Sequence, residues 1–321
     1  MKQVLPLLAL ACVAAVPLAA PAQTYPSKPV KIIVPYAPGG GTDVLTRVLA
    51  KQLSDATGQS FVVENHGGAG ATIGPAMVAK AAPDGYTLVA ISGVPYLINQ
   101  YSYRNLSYDT IADFVPVSRF ASVPMLLVSN PKFPAASAQD FVKYARDNPG
   151  KVSFGAPDQM THLAMTIISQ GTNTQVTIVP YKGAGPAITD LLGNHIPVML
   201  SSSSAIMPYL KDGRVRALAI TTKERSPSLP DVPTVSESIV PSFELNAWFA
   251  ILAPANTPKA VVDFLHAEIA KAVKVQDVQE RFRGLGAEPI EMLSQADFAA
   301  YLRAERDRWS KAFRDAGMQP Q

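Results

Sequence analysis

The chain has 321 residues, with 28 Lys and Arg against 25 Asp and Glu and a formal charge of +3. That near-neutral balance, with no basic run interleaved with aromatics, excludes a nucleic-acid footprint. The length suits two domains rather than one core, and the single cysteine, Cys12, falls in an N-terminal targeting-like segment, so the remaining chain is thiol-free and fits an oxidising compartment.

Residues 1–22 read as an export signal: Lys2 is the basic start, Val4 to Leu18 the apolar run, and Ala20-Pro21-Ala22 a small-x-small cleavage site. The mature chain is expected to begin near Gln23, in the periplasm, as a soluble product. Next, Val30 to Val34 form an apolar strand that passes through Pro35-Tyr36-Ala37-Pro38-Gly39-Gly40-Gly41 into a helix with Leu45, Leu49 and Leu53 on one face. Thr42 or Asp43 is the expected N-cap. Glycines above a covered strand let backbone N–H groups turn outward where the helix dipole is positive, so Tyr36 to Gly41 outline an anion site. A tight strand-to-helix turn without a ligand is the competing reading. The spacing of a phosphate loop or a dinucleotide fingerprint is not met here, nor in Gly68-Ala69-Gly70-Ala71-Thr72-Ile73-Gly74.

The strand 61–65, a glycine loop, a helix through Met77 and Lys80, the turn Pro83-Asp84-Gly85 and the strand 86–92 complete a βαβαβ series. This pattern predicts a mostly parallel sheet covered by helices. Ser92 ends its strand where open α/β sheets bind ligands. An irregular stretch then holds Asn99, Tyr101, Tyr103 and Tyr108, readable as a lid or as packing. The run from Pro124 to Ser129 starts a second series: a helix capped by Ser137 with Asp140 in capping-box spacing, a strand over 152–154, a helix after Thr161, and further strands over 176–180, 196–200 and 216–222 with helices between them. Beyond the proline-rich segment 227–241, Asn246 to Pro254 is a strand long enough to cross between lobes. Helices over 258–273 and 294–316 close the chain, the last with a packing stripe of Phe298, Leu302, Trp309 and Phe313.

Catalytic constellations are missing from this pattern. His66, His162, His195 and His266 lack metal-ligand spacing, no Gly-x-Ser-x-Gly elbow occurs, and thiol chemistry leaves with Cys12. The expectation is a protein that is not an enzyme and uses no cofactor or metal. A periplasmic hydrolase is the rival class, and turnover of a bound ligand separates the two.

Ordered landmarks span nearly the whole mature chain: Tyr25-Pro26-Ser27-Lys28-Pro29-Val30, Val34-Pro35-Tyr36-Ala37-Pro38-Gly39-Gly40, Asp43, Val63-Glu64-Asn65, Gly68-Ala69-Gly70, Pro83-Asp84-Gly85-Tyr86-Thr87-Leu88, His162-Leu163, Val179-Pro180-Tyr181-Lys182-Gly183, Leu229-Pro230-Asp231-Val232-Pro233-Thr234 and Ala304-Glu305. Together they resemble the Bug family, the solute-binding receptors of tripartite tricarboxylate transporters. The resemblance implies an α/β fold of the type II periplasmic-binding-protein kind: lobe 1 over 23–123 plus 250–321, lobe 2 over 124–249, and a ligand cleft between them, hinged near Val123 and Trp248. It implies a monomeric extracytoplasmic receptor that delivers a small organic acid to membrane permease subunits, with a kinase-linked ligand sensor as the alternative.

It further implies a carboxylate held by backbone N–H groups and water from two loops. The first supplies Tyr36, Ala37, Pro38, Gly39 and Gly40. The second, Gly155-Ala156-Pro157-Asp158-Gln159-Met160-Thr161-His162, is shorter than the family's Gly-Ser-x-Gly-x-Gly-Thr and lacks its inner glycines; Gly155, Ala156, Gln159 and Thr161 are its expected contacts. Asp158 adds a negative charge near the lip that would repel a second substrate carboxylate unless water or a cation intervened, so monocarboxylates and dicarboxylates both stay open. Ser201, in the run Ser201 to Ser204, offers hydroxyl donors and acceptors. Tyr181 and Lys182 either line the cleft or start a helix, and His162 is read as structural ahead of ligand-binding.

Overall fold

The computed structural model describes residues 25–287, 290 and 292–320. The expected signal segment, 1–22, lies outside the described residues. The first half builds β1 (Val30–Val34), α1 (Gly41–Thr57), β2 (Phe61–Asn65), α2 (Ile73–Ala79), β3 (Thr87–Ser92), α3 (Gly93–Ser102) and the long β4 (Phe114–Ser129). There follow α4 (Ala138–Asp147), β5 (Ser153–Ala156), α5 (Gln159–Thr172), β6 (Thr177–Pro180), α6 (Ala184–Leu192), β7 (Val198–Ser202), α7 (Ser203–Lys211) and β8 (Arg216–Ile220). A short α8 (Val235–Ser238), β9 (Asn246–Pro254), α9 (Lys259–Ala272), α10 (Gln276–Gly284) and α11 (Gln295–Asp315) end the chain.

Two sheets share β4. The first runs β2-β1-β3-β9-β4, with β1 parallel to both its neighbours. The second carries β8, β4, β7, β5 and β6, with β5 parallel to β6 and β7. β4 changes partner midway, pairing β9 as far as Pro124 opposite Asn246 and then β7 and β8 from Met125 and Leu126 onward. Thr221, fully buried, ties the two crossing chains: its backbone N–H donates to the Met125 carbonyl at 2.9 Å, and its carbonyl accepts from the Leu245 N–H at 2.9 Å. The ladder keeps Asn246 to Phe249 with the first sheet, whereas the sequence reading places the lobe break after residue 249.

The strands form where the sequence is most apolar. Val30, Ile32 and Val34 are fully buried in β1, and Leu45, Leu49 and Leu53 turn the inner face of α1 onto the core. Ser137 caps α4, its hydroxyl accepting from the Asp140 N–H at 3.1 Å. Four expectations need correcting. α1 starts at an N-cap of Gly40, not Thr42 or Asp43. The start of the stretch read as irregular, through Asn99 and Tyr101, belongs to α3, whose Val94, Tyr96, Leu97 and Ile98 are buried on all sides, leaving no polar face to mark a helical period; Tyr103 and Tyr108 lie beyond it. β4 begins ten residues before Pro124, its early half disguised by Pro116, which sits beside a register shift. α5 begins at Gln159, because Asp158 and Thr161 form a capping box ahead of the expected start.

Candidate ligand site

Several helices begin directly above the carboxyl ends of parallel strands, and their N-termini converge on one cavity between the lobes. α1, α3, α5, α6 and α7 have N-cap residues Gly40, Ser92, Asp158, Gly183 and Ser202, and every one of these lines that cavity. The first N–H groups of a helix have no acceptor within it, and together they carry a partial positive charge of about half an electron. Of the five, only α5 has its end closed by a side chain. At α1 the first internal bond is Val44 N–H to Gly40 carbonyl, so the amides of Gly41, Thr42 and Asp43 receive no acceptor from their own helix. Hydroxyls of Thr42, Ser201 and Ser202 add donors, and Met125, Met160, Leu200 and Phe249 supply apolar wall. Among the described lining residues there is no Lys, Arg or His.

The first loop is held from beneath by a buried carboxylate. Asp43 accepts from the Gly39 N–H at 3.0 Å, from Asn65 Nδ2 at 2.9 Å and from Arg47 Nε at 2.9 Å. Asn65 also donates to the Tyr36 carbonyl at 3.0 Å, so one pair of side chains sets both ends of the loop. Gly39 therefore spends its N–H on Asp43 rather than on a ligand. Its φ of +86° explains the residue: only glycine takes that conformation without strain.

The facing wall comes from α5. Asp158 Oδ1 accepts from the Thr161 N–H at 2.9 Å and from its hydroxyl at 3.0 Å, while the Asp158 N–H donates to that hydroxyl at 3.2 Å. Burial pushes the Asp158 carboxyl above its ordinary range, partly offset by hydrogen bonds from Thr161 and Met160. Burial, then the Asp158 charge, also push the Tyr36 phenol well up, with the adjacent Ser92 hydroxyl acting the other way; Asp158 and Tyr36 thus sense one another across the cleft.

The lobes meet at this rim. A Cβ on Gly183 would stand 3.3 Å from the Ala37 nitrogen, and one on Gly185 2.9 Å from the Pro38 carbonyl oxygen. A Cβ on Gly41 would run into the hydroxyls of Ser202 and Ser204. Close by, the buried Ser203 hydroxyl donates to the Gly286 carbonyl at 2.7 Å, joining α7 to the segment after α10.

Of the residues expected from sequence, Tyr36, Gly40, Ser92, Thr161 and Ser201 line the cavity. Ala37 and Pro38 instead form the lip against Gly183 and Gly185, and Gly39 is exposed with its N–H engaged. Gly155 and Ala156 are buried in β5, and Gln159 lies outside the lining. Tyr181 turns its hydroxyl to Asp190 Oδ2 at 2.7 Å, away from the cavity; burial and then that carboxylate push the phenol up to about 12. Thr42, Met125, Gly183, Ser202 and Phe249 join the wall unexpectedly. The rule that N-caps follow strand ends would have found Gly183 and Ser202.

Two α/β lobes on shared crossing strands, with a cleft at the strand ends, define a periplasmic solute-binding fold. The family model of the tripartite tricarboxylate transporter family receptor matches residues 45–318, and the chain belongs to that family. It is similar to Protein BugT of Bordetella pertussis, 37% identical over 305 residues covering 94% of this chain and 93% of BugT. Among solved structures it is similar to R. palustris Rpa4515 with adipate (35% identical, TM-score 0.89, covering 92% of this chain and 100% of that one). MatC from Rhodopseudomonas palustris with bound malate is similar too (30% identical, TM-score 0.83, covering 90% and 99%). The family is one of transporter receptors, and it includes solved relatives such as the periplasmic binding protein BugD; this chain is a solute-binding receptor and not an enzyme. Among the described residues no helix is long and apolar enough to cross a membrane.

Proposed function

We propose that this receptor captures a small organic acid in the interlobe cavity, in the periplasm, and presents its closed form to the permease subunits of a tripartite transporter. The observation that carries this reading is the convergence of α1, α3, α6 and α7, with no side chain capping their ends, on a cavity that has hydroxyls but, among its described lining residues, no basic side chain. Such a site favours a small anion held by dipoles and oriented N–H groups. The adipate and malate bound to the two similar receptors fit that chemistry. Donors from both lobes reach a ligand together only in the closed state, so binding shifts the hinge equilibrium toward closure. One chain supplies both walls, consistent with action as a monomer.

The test is a thermal-shift screen of residues 23–321 against aliphatic and aromatic carboxylates and the methyl ester of each. An acid at 100 times its Kd is expected to add about 2.7 kcal/mol of stability, with its ester adding none. Esters that stabilise as well as their acids would overturn the reading.

A further inference from the structure

Asp158 is the one carboxylate in the described cavity wall, which it shares with the open end of α1, and its charge acts on Tyr36 in the loop that leads into that helix. The two helix ends therefore have opposite character. At α1, the amides of Gly41 and Thr42 await an acceptor. At α5, the helix end that would also attract an anion is occupied by its own Asp158 carboxylate, which takes the Thr161 N–H and hydroxyl. A second ligand carboxylate placed there would meet a like charge with no lysine, arginine or histidine among the described lining residues to offset it. In the same cavity, Met125, Leu200 and Phe249 form an apolar wall that suits a methylene or ring skeleton.

We propose that Asp158 sets the ligand class of this receptor: a monocarboxylate whose far end presents an N–H donor, amide or amine, to the Asp158 carboxylate. This rests on the carboxylate reading of the cavity given above. A ligand N–H would satisfy a carboxylate that burial otherwise disfavours, so the donor contributes attraction while a diacid suffers repulsion, and discrimination comes from both.

The experiment is calorimetric titration at neutral pH with three matched series: succinate, glutarate and adipate; their monoamides succinamate, glutaramate and adipamate; and the neutral diamides. The tightest monoamide is expected to bind at least about tenfold more strongly than its own diacid. Asp158→Asn keeps a capping side chain at the start of α5, and Asp158→Ser does so with a different shape; in both, the monoamide-over-diacid ratio should fall by about tenfold or more. A diacid that matches or beats its monoamide in the unmodified receptor, or a ratio unchanged in both variants, overturns the role of Asp158 while the carboxylate reading stands. A diamide that binds as well as its monoamide, or no binding in any series, overturns the carboxylate reading itself.

Discussion

The first turns of α1 and α5 occupy equivalent places, each above the carboxyl end of a parallel strand and each facing the cavity, yet one is open and the other is shut. In α1 the acidic residue, Asp43, lies in the third helical position and reaches backward and outward to Gly39, Asn65 and Arg47, leaving the first amides uncovered. In α5 the acidic residue, Asp158, is the N-cap itself and folds over its own first turn. A shift of three positions in where a carboxylate sits thus turns one helix end into a donor site and the other into an acceptor. The dipole of a helix is a property of its backbone, but its availability is decided by a single side chain.

The largest expected effect breaks the open side. Asp43→Ala removes the acceptor of three hydrogen bonds, one of them from the half-exposed Arg47, at a cost of about 3 kcal/mol in urea unfolding. Asn65 is then left with Arg47 and the Tyr36 carbonyl alone and Gly39 loses its acceptor, so the loop is held less firmly and affinity for the bound carboxylate falls with stability. Next is Gly41→Ala, whose methyl would enter the space of the Ser202 and Ser204 hydroxyls in the opposite lobe. Ligand affinity should drop at least about tenfold, or 1.4 kcal/mol, while the melting midpoint of the ligand-free protein holds, because alanine suits a first helical turn. Gly39→Ala is its counterpart. A Cβ there meets nothing within 4 Å, but the φ of +86° is strained for alanine, so stability falls by about 1 kcal/mol and affinity is unchanged.

The smallest effect belongs to the shut side and is read from pH. The Asp158 carboxyl is raised in the folded protein, so the folded state holds its proton more tightly than the unfolded state does. The stability this provides is complete below the ordinary value of 3.8 and is lost as pH rises through the raised folded value. Melting midpoints of the unmodified protein relative to Asp158→Asn should therefore improve as pH falls from neutrality toward 4. A flat difference would show that α5 is not shut by a buried charge.

The elements that carry this contrast were legible in the sequence, for reasons that are local, although the contrast itself was not. The strand-glycine-helix unit at 30–57 announces itself because apolar density, φ-permissive glycines and a leucine face all agree, and β1 and α1 form there. The parallel pairing of β1 with β2 and β3, and of β5 with β6 and β7, followed from their alternation with helices, whereas every pairing of β4 and β9 is antiparallel and departs from the expected mostly parallel sheet. Less legible was anything decided by tertiary surroundings: α3, buried on every side, carries no polar face, and β4 hides its first half around Pro116. α10 is anchored only by Val278 and Phe282, too few to show a period. At the site, the loop around Tyr36 was readable but the fate of its amides was not, since the use of the Gly39 N–H depends on where Asp43 points. Tyr181 was ambiguous for the same reason, resolved by Asp190 one helix further on. Residues of the crossing strands, Met125 and Phe249, reach the cavity only through the sheet's geometry, which no local pattern encodes.

The open end of α1 can be tested directly by a crystal structure of the receptor with the tightest carboxylate from the screen. The carboxylate oxygens are expected within hydrogen-bonding distance of the Gly41 and Thr42 amides, with Ser201 or Ser202 closing from the other lobe. A head group seated elsewhere in the cavity, with the first turn of α1 touching no part of it, would contradict the account.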